Sequence, residues 1–329
     1  MPILINMIFN KKITIPKEMK EITGGLSDAL KRKRENTIHE IKNILNGSDN
    51  RLLMIIGPCS ADDANAVVIY CERLAREAYM VKDKILIVPR VFTGKPRSLG
   101  VGYKGMLHEP VPGEPDLERG IKSAREMMLR VIKETGLFPV DEILYPEDYR
   151  YFDDLLVYAT IGARSVESQQ HRMTASGCDI PVGMKNPLDG NLEIMVQSIN
   201  AAKAPHNFLY RGWDVDTTGN MYAHAILRGG IKPNYYYEDF EKLNEIYQGP
   251  VIVDVNHGNS QKRSWEQPRI CMEVLRLKKF FPRIKGLMIE SYLEGGCQTR
   301  QNVFGKSITD GCLSWEDTEK LIYDIYDEI

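Results

Sequence analysis

This chain of 329 residues has the composition of a globular protein: 43% of its residues are hydrophobic, 27% are charged, and the formal net charge is -2 at pH 7. A chain of this length can bury a large core, either as one large α/β domain or as two ordinary domains. The near-neutral charge excludes a global positive field of the kind that binds nucleic acid or an acidic membrane. We therefore expect small-molecule substrates bound by local clusters, with no nucleic-acid partner and no membrane partner.

Residues 1–50 precede the first predicted strand and form an N-terminal extension. Residues 31–45 have a helical pattern, and we expect this helix to cover the rest of the domain or to contact another subunit. The apolar segment 1–9 is too short to cross a bilayer, and Lys11 and Lys12 lie on the wrong side of it for a signal peptide. We expect this segment to help form a homo-oligomer, either a dimer or a tetramer.

The six cysteines are scattered along the chain and include no CxxC pair. A disulfide framework is therefore not expected, and the cysteine usage favours a reducing cytoplasm.

Eight apolar runs rich in β-branched residues predict buried parallel strands. They are residues 52–56, 85–88, 138–144, 159–163, 180–184, 207–210, 251–255 and 286–289. Stretches with helical period lie between several of them, and a last helix begins at Ser314, whose hydroxyl and Asp317 resemble a capping box. This alternation predicts an α/β fold, a (β/α)8 TIM barrel over residues 51–329.

The segment from Gly100 to Gly105 fits the glycine pattern of a dinucleotide-binding loop. That motif must open a helix, whereas Pro110, Pro112 and Pro115 follow closely here. We interpret the segment as a flexible loop that carries Lys104 past a ligand.

Four residues form a candidate metal site: Cys59, His257, Glu290 and Asp310. The first three each stand near the end of an apolar run, where side chains converge on one mouth of a parallel barrel. A thiolate, an imidazole and two carboxylates suit Mn, Fe, Co or Zn better than Ca or Mg. Taken alone, Cys59 is more typical of a buried core thiol, but the Gly57-Pro58 turn before it favours a ligand.

Arginine and lysine are unusually dense after the predicted strands. They are Arg90, Lys95, Arg97, Arg164, Lys185 and Arg228. Guanidinium groups suit phosphate and carboxylate oxygens, and two separate groups of cations indicate two anions. The alternative is that each arginine pairs with a nearby acid such as Glu142 or Glu167. Beside a candidate metal, the cations favour chemistry on phosphorylated carbonyl compounds.

Five segments resemble the signatures of the class I 3-deoxy-D-arabino-heptulosonate 7-phosphate (DAHP) synthases, α subgroup. They are Gly57-Pro58-Cys59-Ser60, Lys95-Pro96-Arg97-Ser98, the segment from Gly162 to Gln169, Ile226-Leu227-Arg228-Gly229-Gly230, and the segment from Gly305 to Asp310. The similarity runs from about residue 35 to the C-terminus. It implies condensation of phosphoenolpyruvate with erythrose 4-phosphate, the first step of the shikimate pathway to aromatic amino acids.

The resemblance also implies roles for individual residues. One divalent metal ion would be held by Cys59, His257, Glu290 and Asp310. Phosphoenolpyruvate would be held by Arg90, Lys95, Arg164, Lys185 and Arg228, and the phosphate of erythrose 4-phosphate by Arg97 and Ser98. Lys95 would give a proton to the new alkoxide and Glu142 would assist the attacking water, so that Lys95, Glu142, Cys59 and His257 form the catalytic set.

The sequence departs from the family pattern at three places. Asn256 stands where relatives usually have Ser or Cys, and Thr93-Gly94 precede Lys95 where a bulkier acidic pair is more usual. Arg150 and a shortened loop over residues 210–217 fall in the region that, in the family, helps form the pocket for an inhibiting aromatic amino acid. We expect feedback by such an effector to be altered or missing.

Two alternative functions remain open from the sequence. One is the related condensation of phosphoenolpyruvate with arabinose 5-phosphate by a 3-deoxy-D-manno-octulosonate 8-phosphate synthase. The other is a non-catalytic homologue that only binds sugar phosphates.

Overall fold

Eight parallel strands and the helices that follow them make up most of the computed structural model, which describes residues 10–299 and 302–329. The barrel strands are β1 (Leu52–Gly57), β2 (Ile85–Pro89), β3 (Val140–Glu142), β4 (Tyr158–Ile161), β5 (Val182–Lys185), β8 (Ala223–Leu227), β9 (Val251–Asp254) and β10 (Ile284–Glu290). The predicted (β/α)8 barrel is confirmed.

The strands adjoin in the order β2-β1-β10-β9-β8-β5-β4-β3, and the two end strands meet through one isolated bridge, Arg90↔Val140. Every residue of β1 is buried, as expected for a strand covered on both faces.

Helices cover the outside of the sheet; the first two precede β1, and the others each follow a barrel strand. They are α1 (Pro16–Thr23), α2 (Asp28–Asn46), α3 (Ala64–Met80), α4 (Leu117–Thr135), α5 (Gln169–Ser176), α6 (Leu192–Lys203), α7 (Tyr237–Ile246), α8 (Gln267–Lys278) and α9 (Trp315–Glu328). Helix α9 begins as predicted, because the Ser314 hydroxyl accepts a hydrogen bond from the backbone N–H of Asp317 and donates one to its carboxylate.

The sixth barrel strand was predicted wrongly. Residues Asn207–Tyr210 form β6, which pairs antiparallel with β7 (Trp213–Asp216) in a partly exposed hairpin outside the barrel. The barrel position belongs instead to β8, all of which is buried. Because β8 begins with Ala223-His224-Ala225, the sequence does not show the continuous apolar run that is typical of a buried strand. The aromatic and aliphatic residues of β6 resemble such a run.

Helices α1 and α2 belong to the N-terminal extension and pack against the barrel. Ile38, Ile41 and Ile44 of α2 are buried, and the Arg34 guanidinium donates to the backbone oxygens of Asp153 and Leu156. The extension boundary at residue 50 and its contact with another subunit stay predictions. Segment 1–9 lies outside the described residues, and none of the described helices is long and apolar enough to cross a membrane.

Two short strands, β11 (Glu294–Cys297) and β12 (Lys306–Ser307), extend the loop after β10. This loop returns to the barrel mouth, because the Leu313 N–H donates to the Glu290 carbonyl oxygen and Gly296 bridges Cys312. Asp310 is thereby carried back to the end of β10.

Candidate active site

A charged or metal-ligating side chain ends or follows each barrel strand. In chain order these side chains belong to Cys59, Arg90, Glu142, Arg164, Lys185, Arg228, His257 and Glu290. Because parallel barrel strands present their carboxyl ends at one mouth, these residues meet despite their separation along the chain.

A cavity of about 770 Å³ occupies this mouth. Its walls contain ten of the predicted site residues: Arg90, Lys95, Arg97, Ser98, Glu142, Arg164, Lys185, Arg228, His257 and Asp310. The other two, Cys59 and Glu290, are fully buried and adjoin the cavity through Asp310 and His257. The structure therefore brings the twelve predicted site residues together, while their roles stay predictions; Lys104, which was expected to pass a ligand, is not among the residues that line this cavity.

Three of the four candidate metal ligands form a close group, and the fourth, His257, adjoins it at Glu290. Single ligand atoms of Cys59, Glu290 and Asp310 all lie within 4.8 Å of one another, with 3.5 Å between Cys59 Sγ and Asp310 Oδ2. His257 Nε2 lies 3.5 Å from Glu290 Oε1. The sulfur and the two carboxylates thus face one small volume, and the ring nitrogen of His257 borders it.

His257 is held in an orientation suited to a ligand. Its Nδ1 contacts both carboxylate oxygens of the buried Asp254, at 3.1 Å and 2.9 Å, which leaves Nε2 directed toward Glu290. A carboxylate on one ring nitrogen fixes the tautomer and raises the basicity of the other nitrogen. The left-handed φ of His257, 50°, is strain of the kind found at functional sites.

The donor set fits a divalent metal. Glu290 Oε1 is buried without a hydrogen-bond partner, although it lies 3.0 Å from Arg90 Nη2. Burial, reinforced by the Glu290 carboxylate, raises the pKa of the Cys59 thiol to about 12, so the thiolate needs a strong positive neighbour. A coordinated metal supplies that charge, and the mixed ligand types suit Mn, Fe, Co or Zn.

Lys95 is the nearest protein cation to this cluster. Its Nζ lies 2.6 Å from Cys59 Sγ and 3.1 Å from Asp310 Oδ2. Burial opposes its charge, but the nearby thiol and carboxylates outweigh burial and raise the pKa of Lys95. The ammonium group therefore carries a proton at the edge of the metal cluster.

Arg90 and Lys185 line the deeper part of the cavity. Arg90 is almost fully buried over the ring of Phe92, and its Nε and Nη1 have no hydrogen-bond partner. Lys185 Nζ lies 2.9 Å from Asp254 Oδ2. Buried and partly unsatisfied donors of this kind favour an anionic ligand.

The remaining cations are not neutralised by neighbouring acids. Among residues 10–299 and 302–329, no carboxylate forms an ion pair with Arg97, Arg164 or Arg228. Arg164 Nε donates to Ser98 Oγ at 2.9 Å, and Arg97 Nε donates to the Tyr103 carbonyl oxygen at 2.8 Å. The alternative of structural pairing with Glu142 or Glu167 therefore does not account for these three arginines.

Glu142 lines the cavity and has an unsatisfied oxygen. Its Oε1 is buried and has no hydrogen-bond partner. Gly162 provides the space for this oxygen, because a Cβ at that position would lie 2.4 Å from Oε1. The carboxylate therefore has hydrogen-bonding capacity that the described residues do not use.

Sequence reasoning missed several residues that support the site. Asp254 orients His257, Asn256 donates to Glu290 Oε2, Phe92 carries Arg90, and Lys262 lines the cavity. The acid three residues before His257 was a usable signal for a histidine partner. Phe92 and Lys262 carried no signal, since neither residue type is unusual in a loop after a strand.

Three comparisons relate this chain to known proteins. A family profile described as the DAHP synthetase I family matches residues 29–322. The phospho-2-dehydro-3-deoxyheptonate aldolase, Trp-sensitive, of Salmonella typhi is 40% identical over 298 residues, covering 86% of this chain and 85% of that protein. The phospho-2-dehydro-3-deoxyheptonate aldolase of Haemophilus influenzae is 39% identical over 314 residues, covering 90% and 86%.

A solved structure of phospho-2-dehydro-3-deoxyheptonate aldolase from Francisella tularensis SCHU S4 is similar throughout. It superposes with a TM-score of 0.92 at 31% identity and covers 98% of both chains.

Proposed function

The chain belongs to the DAHP synthetase I family, and from that premise we propose that its barrel cavity joins phosphoenolpyruvate to erythrose 4-phosphate. Water is consumed, and 3-deoxy-D-arabino-heptulosonate 7-phosphate and inorganic phosphate are the products. This is the first step of the shikimate pathway. The observation that carries the assignment is one cavity in which unpaired cations adjoin a mixed thiolate, imidazole and carboxylate cluster.

Phosphoenolpyruvate is assigned to the inner cations. Arg90, Lys185 and Arg228 line the same cavity and are nearly buried, so they hold its phosphate and carboxylate in a site with little water. Burial lowers the pKa of the Arg228 guanidinium, and an anion there relieves that cost. Lys95 and Arg164 complete the proposed set.

Erythrose 4-phosphate is assigned to the outer rim of the cavity. Arg97 and Ser98 lie together on the loop after β2, and Arg164 already contacts Ser98. A phosphate on Arg97 would place the aldehyde end of this short sugar toward Lys95 and the metal ligands.

The proposed metal site comprises Cys59, His257, Glu290 and Asp310. When bound, a divalent metal supplies Lewis-acid polarisation of a carbonyl oxygen. We propose Mn, Fe, Co or Zn for this role on the basis of the donor types.

The bond changes are assigned to two side chains. As C3 of phosphoenolpyruvate bonds to the aldehyde carbon, the aldehyde oxygen becomes an alkoxide and takes a proton from Lys95 Nζ. Glu142 accepts a proton from water as that water adds to C2. The C2–O bond to phosphate then breaks as the new C2 hydroxyl becomes the ketone carbonyl, and the hydroxyl proton leaves with inorganic phosphate. Orientation of both anions by the cations supplies the proximity that this reaction needs.

The function is tested by offering phosphoenolpyruvate with either erythrose 4-phosphate or arabinose 5-phosphate. We expect phosphate release and a seven-carbon product with the first aldehyde only. Efficient turnover of arabinose 5-phosphate would favour the octulosonate alternative. No turnover of either aldehyde, with tight binding of both, would favour the non-catalytic homologue.

We also propose a cavity for a small effector beside the β6–β7 hairpin. Its volume is about 240 Å³, and Phe208, Tyr210 and Val215 of the hairpin face Arg150 and Asp153 across it. Opposite charges beside aromatic side chains suit an aromatic amino acid. The expected loss or alteration of feedback stays a prediction, which titration with tryptophan, phenylalanine and tyrosine tests.

Two further statements remain proposals. A cytoplasmic location is supported by the six free cysteines. A dimer or tetramer is proposed from the apolar N-terminal segment, and light scattering after size-exclusion chromatography tests it.

A further inference from the structure

The barrel is weakly joined at one place, between β2 and β3. Neighbouring strands elsewhere share continuous ladders, for example from Leu53↔Gly286 to Gly57↔Glu290 between β1 and β10. At the β2–β3 junction the described backbone forms only the bridge Arg90↔Val140, with the Val91 N–H donating to the Val140 carbonyl oxygen. Some other contact must fix the two strand ends relative to each other.

Asp141 makes that contact. Its carboxylate Oδ1 accepts hydrogen bonds from the backbone N–H of Thr93, at 2.9 Å, and of Glu142, at 2.7 Å. Its Oδ2 accepts from the Thr93 hydroxyl at 2.5 Å. Asp141 and Thr93 are both almost fully buried. We call these three hydrogen bonds the Asp141 clasp.

The Asp141 clasp consists of hydrogen bonds and includes no ion pair among the described residues. Within the described part of the chain, no lysine or arginine pairs with Asp141, and burial raises the pKa of its carboxyl to about 7. An unpaired buried carboxylate is costly, so hydrophobic packing would stabilise this position better. Its three acceptor contacts all go to the two chain segments that meet at the weak junction.

Those two segments carry Lys95 and Glu142. Thr93 is separated from Lys95 only by Gly94, where a Cβ would lie 3.1 Å from Leu144 Cδ2. The Thr93 carbonyl oxygen accepts from the Leu107 N–H, which ties the far side of the loop. Glu142 follows Asp141 directly. Because Asp141 holds Thr93 in place, it also holds the backbone near Lys95, the proposed proton donor, against the backbone of Glu142, the proposed partner of the water.

We propose that Asp141 is a positioning residue, which uses the clasp to hold Lys95 and Glu142 in register across the β2–β3 junction. The inference rests on the proposed function for the roles of Lys95 and Glu142. It also gives a reason for the Thr93-Gly94 pair, because the clasp needs a hydroxyl at 93 and close packing at 94.

The test compares Asp141→Ala with Asp141→Asn. Alanine removes all three acceptors, whereas asparagine keeps Oδ1 for both backbone N–H groups and turns an amide toward the Thr93 hydroxyl. We expect kcat to fall about 100-fold in D141A, because a displacement of the order of 1 Å can cost this much. D141N should stay close to the original kcat. Metal affinity should be unchanged in both, since Asp141 contacts none of the proposed ligands.

Hydrogen exchange gives a readout that does not require turnover. Peptides covering residues 91–95 and 140–142 should exchange faster in D141A than in D141N, while peptides from the β1–β10 ladder stay protected. If D141A does not fold, Thr93→Val, with Thr93→Ser as its matched control, removes one hydroxyl and makes the same test. Faster exchange and a lower kcat are expected for T93V only.

Two results would overturn the inference. One is a folded D141A, or a folded T93V, with unchanged kcat and unchanged exchange. The other is an equal loss of kcat in D141N, which would assign the effect to charge instead of to the clasp. Failure of the proposed function is a separate outcome, because the unsubstituted protein would then release no phosphate whatever the exchange data show.

Discussion

Asn256 should control the affinity of the metal site without touching the metal. Its buried side-chain amide donates to Glu290 Oε2 and, at 3.2 Å, to the Gly311 carbonyl oxygen beside Asp310. Its Oδ1 accepts from Ser260 Oγ at 2.6 Å, which settles the orientation of the amide. One side chain therefore holds two of the four proposed ligands.

Replacing Asn256 with alanine leaves a buried carboxylate oxygen and a carbonyl oxygen without their donor. Loss of such a supporting hydrogen bond weakens metal binding about 10- to 100-fold, which is about 1.4–2.7 kcal/mol at 25 °C. We expect N256A to bind Mn²⁺ or Zn²⁺ more weakly by this factor in calorimetric titration. Ser260→Ala, which removes only the contact to Oδ1, should have a smaller effect. A folded N256A with unchanged metal affinity would refute the reasoning.

Three other substitutions test separate parts of the site and core. Glu142→Gln should lower kcat while leaving the affinity for phosphoenolpyruvate in equilibrium binding intact, because the amide cannot take a proton from water; an unchanged kcat would contradict its role. Arg97→Met should raise KM for erythrose 4-phosphate far more than KM for phosphoenolpyruvate, and an equal rise in both would count against the two-anion assignment. Burial lowers the pKa of His224 to about 4, so between pH 6.5 and pH 4 the unfolded chain binds a proton that the folded chain does not. The free energy of unfolding should therefore fall by roughly 3 kcal/mol as the pH is lowered from 6.5 to 4. A His224→Gln variant, which cannot titrate, should show a flatter dependence of Tm on pH, and parallel curves for the two proteins would rule this out.

The barrel and most of the candidate metal ligands could be predicted from the sequence, because both correspond to local patterns of residues. Buried parallel strands are continuous apolar runs, and Cys59, His257 and Glu290 each stand near the end of such a run. Type and position together predicted a meeting place. The structure brings Cys59 and Glu290 into one close group and places His257 Nε2 beside Glu290, while the metal role stays a prediction. Asp310 lay outside this pattern, because it is carried to the mouth by a returning loop.

The sixth strand shows where local signals fail. β8 begins with two alanines and a histidine before Ile226 and Leu227, and its place in the barrel is clear only from its burial between β5 and β9. The His224 ring is accommodated there because Tyr158 lies opposite, with 2.8 Å between the Tyr158 hydroxyl and Nε2. A hairpin strand such as β6, with Phe208, Leu209 and Tyr210, can resemble a core strand in sequence while it packs outside the barrel.

The contacts of the residues that support the site could not be predicted from the sequence alone. Asp141 and Thr93 are separated by 48 positions, and their pairing depends on the weak junction between β2 and β3. Asn256 was visible only as a departure from the family pattern. Its significance depends on Gly311, which a long loop brings back to the mouth.

Phosphate release from phosphoenolpyruvate plus erythrose 4-phosphate, with and without a chelator, tests the central claim most directly. We predict that release requires both substrates, stops when the divalent metal is removed, and returns when Mn, Fe, Co or Zn is added back. In Cys59→Ala the added metal should fail to restore it. Full activity in a metal-free preparation, or in a folded C59A, would contradict the account.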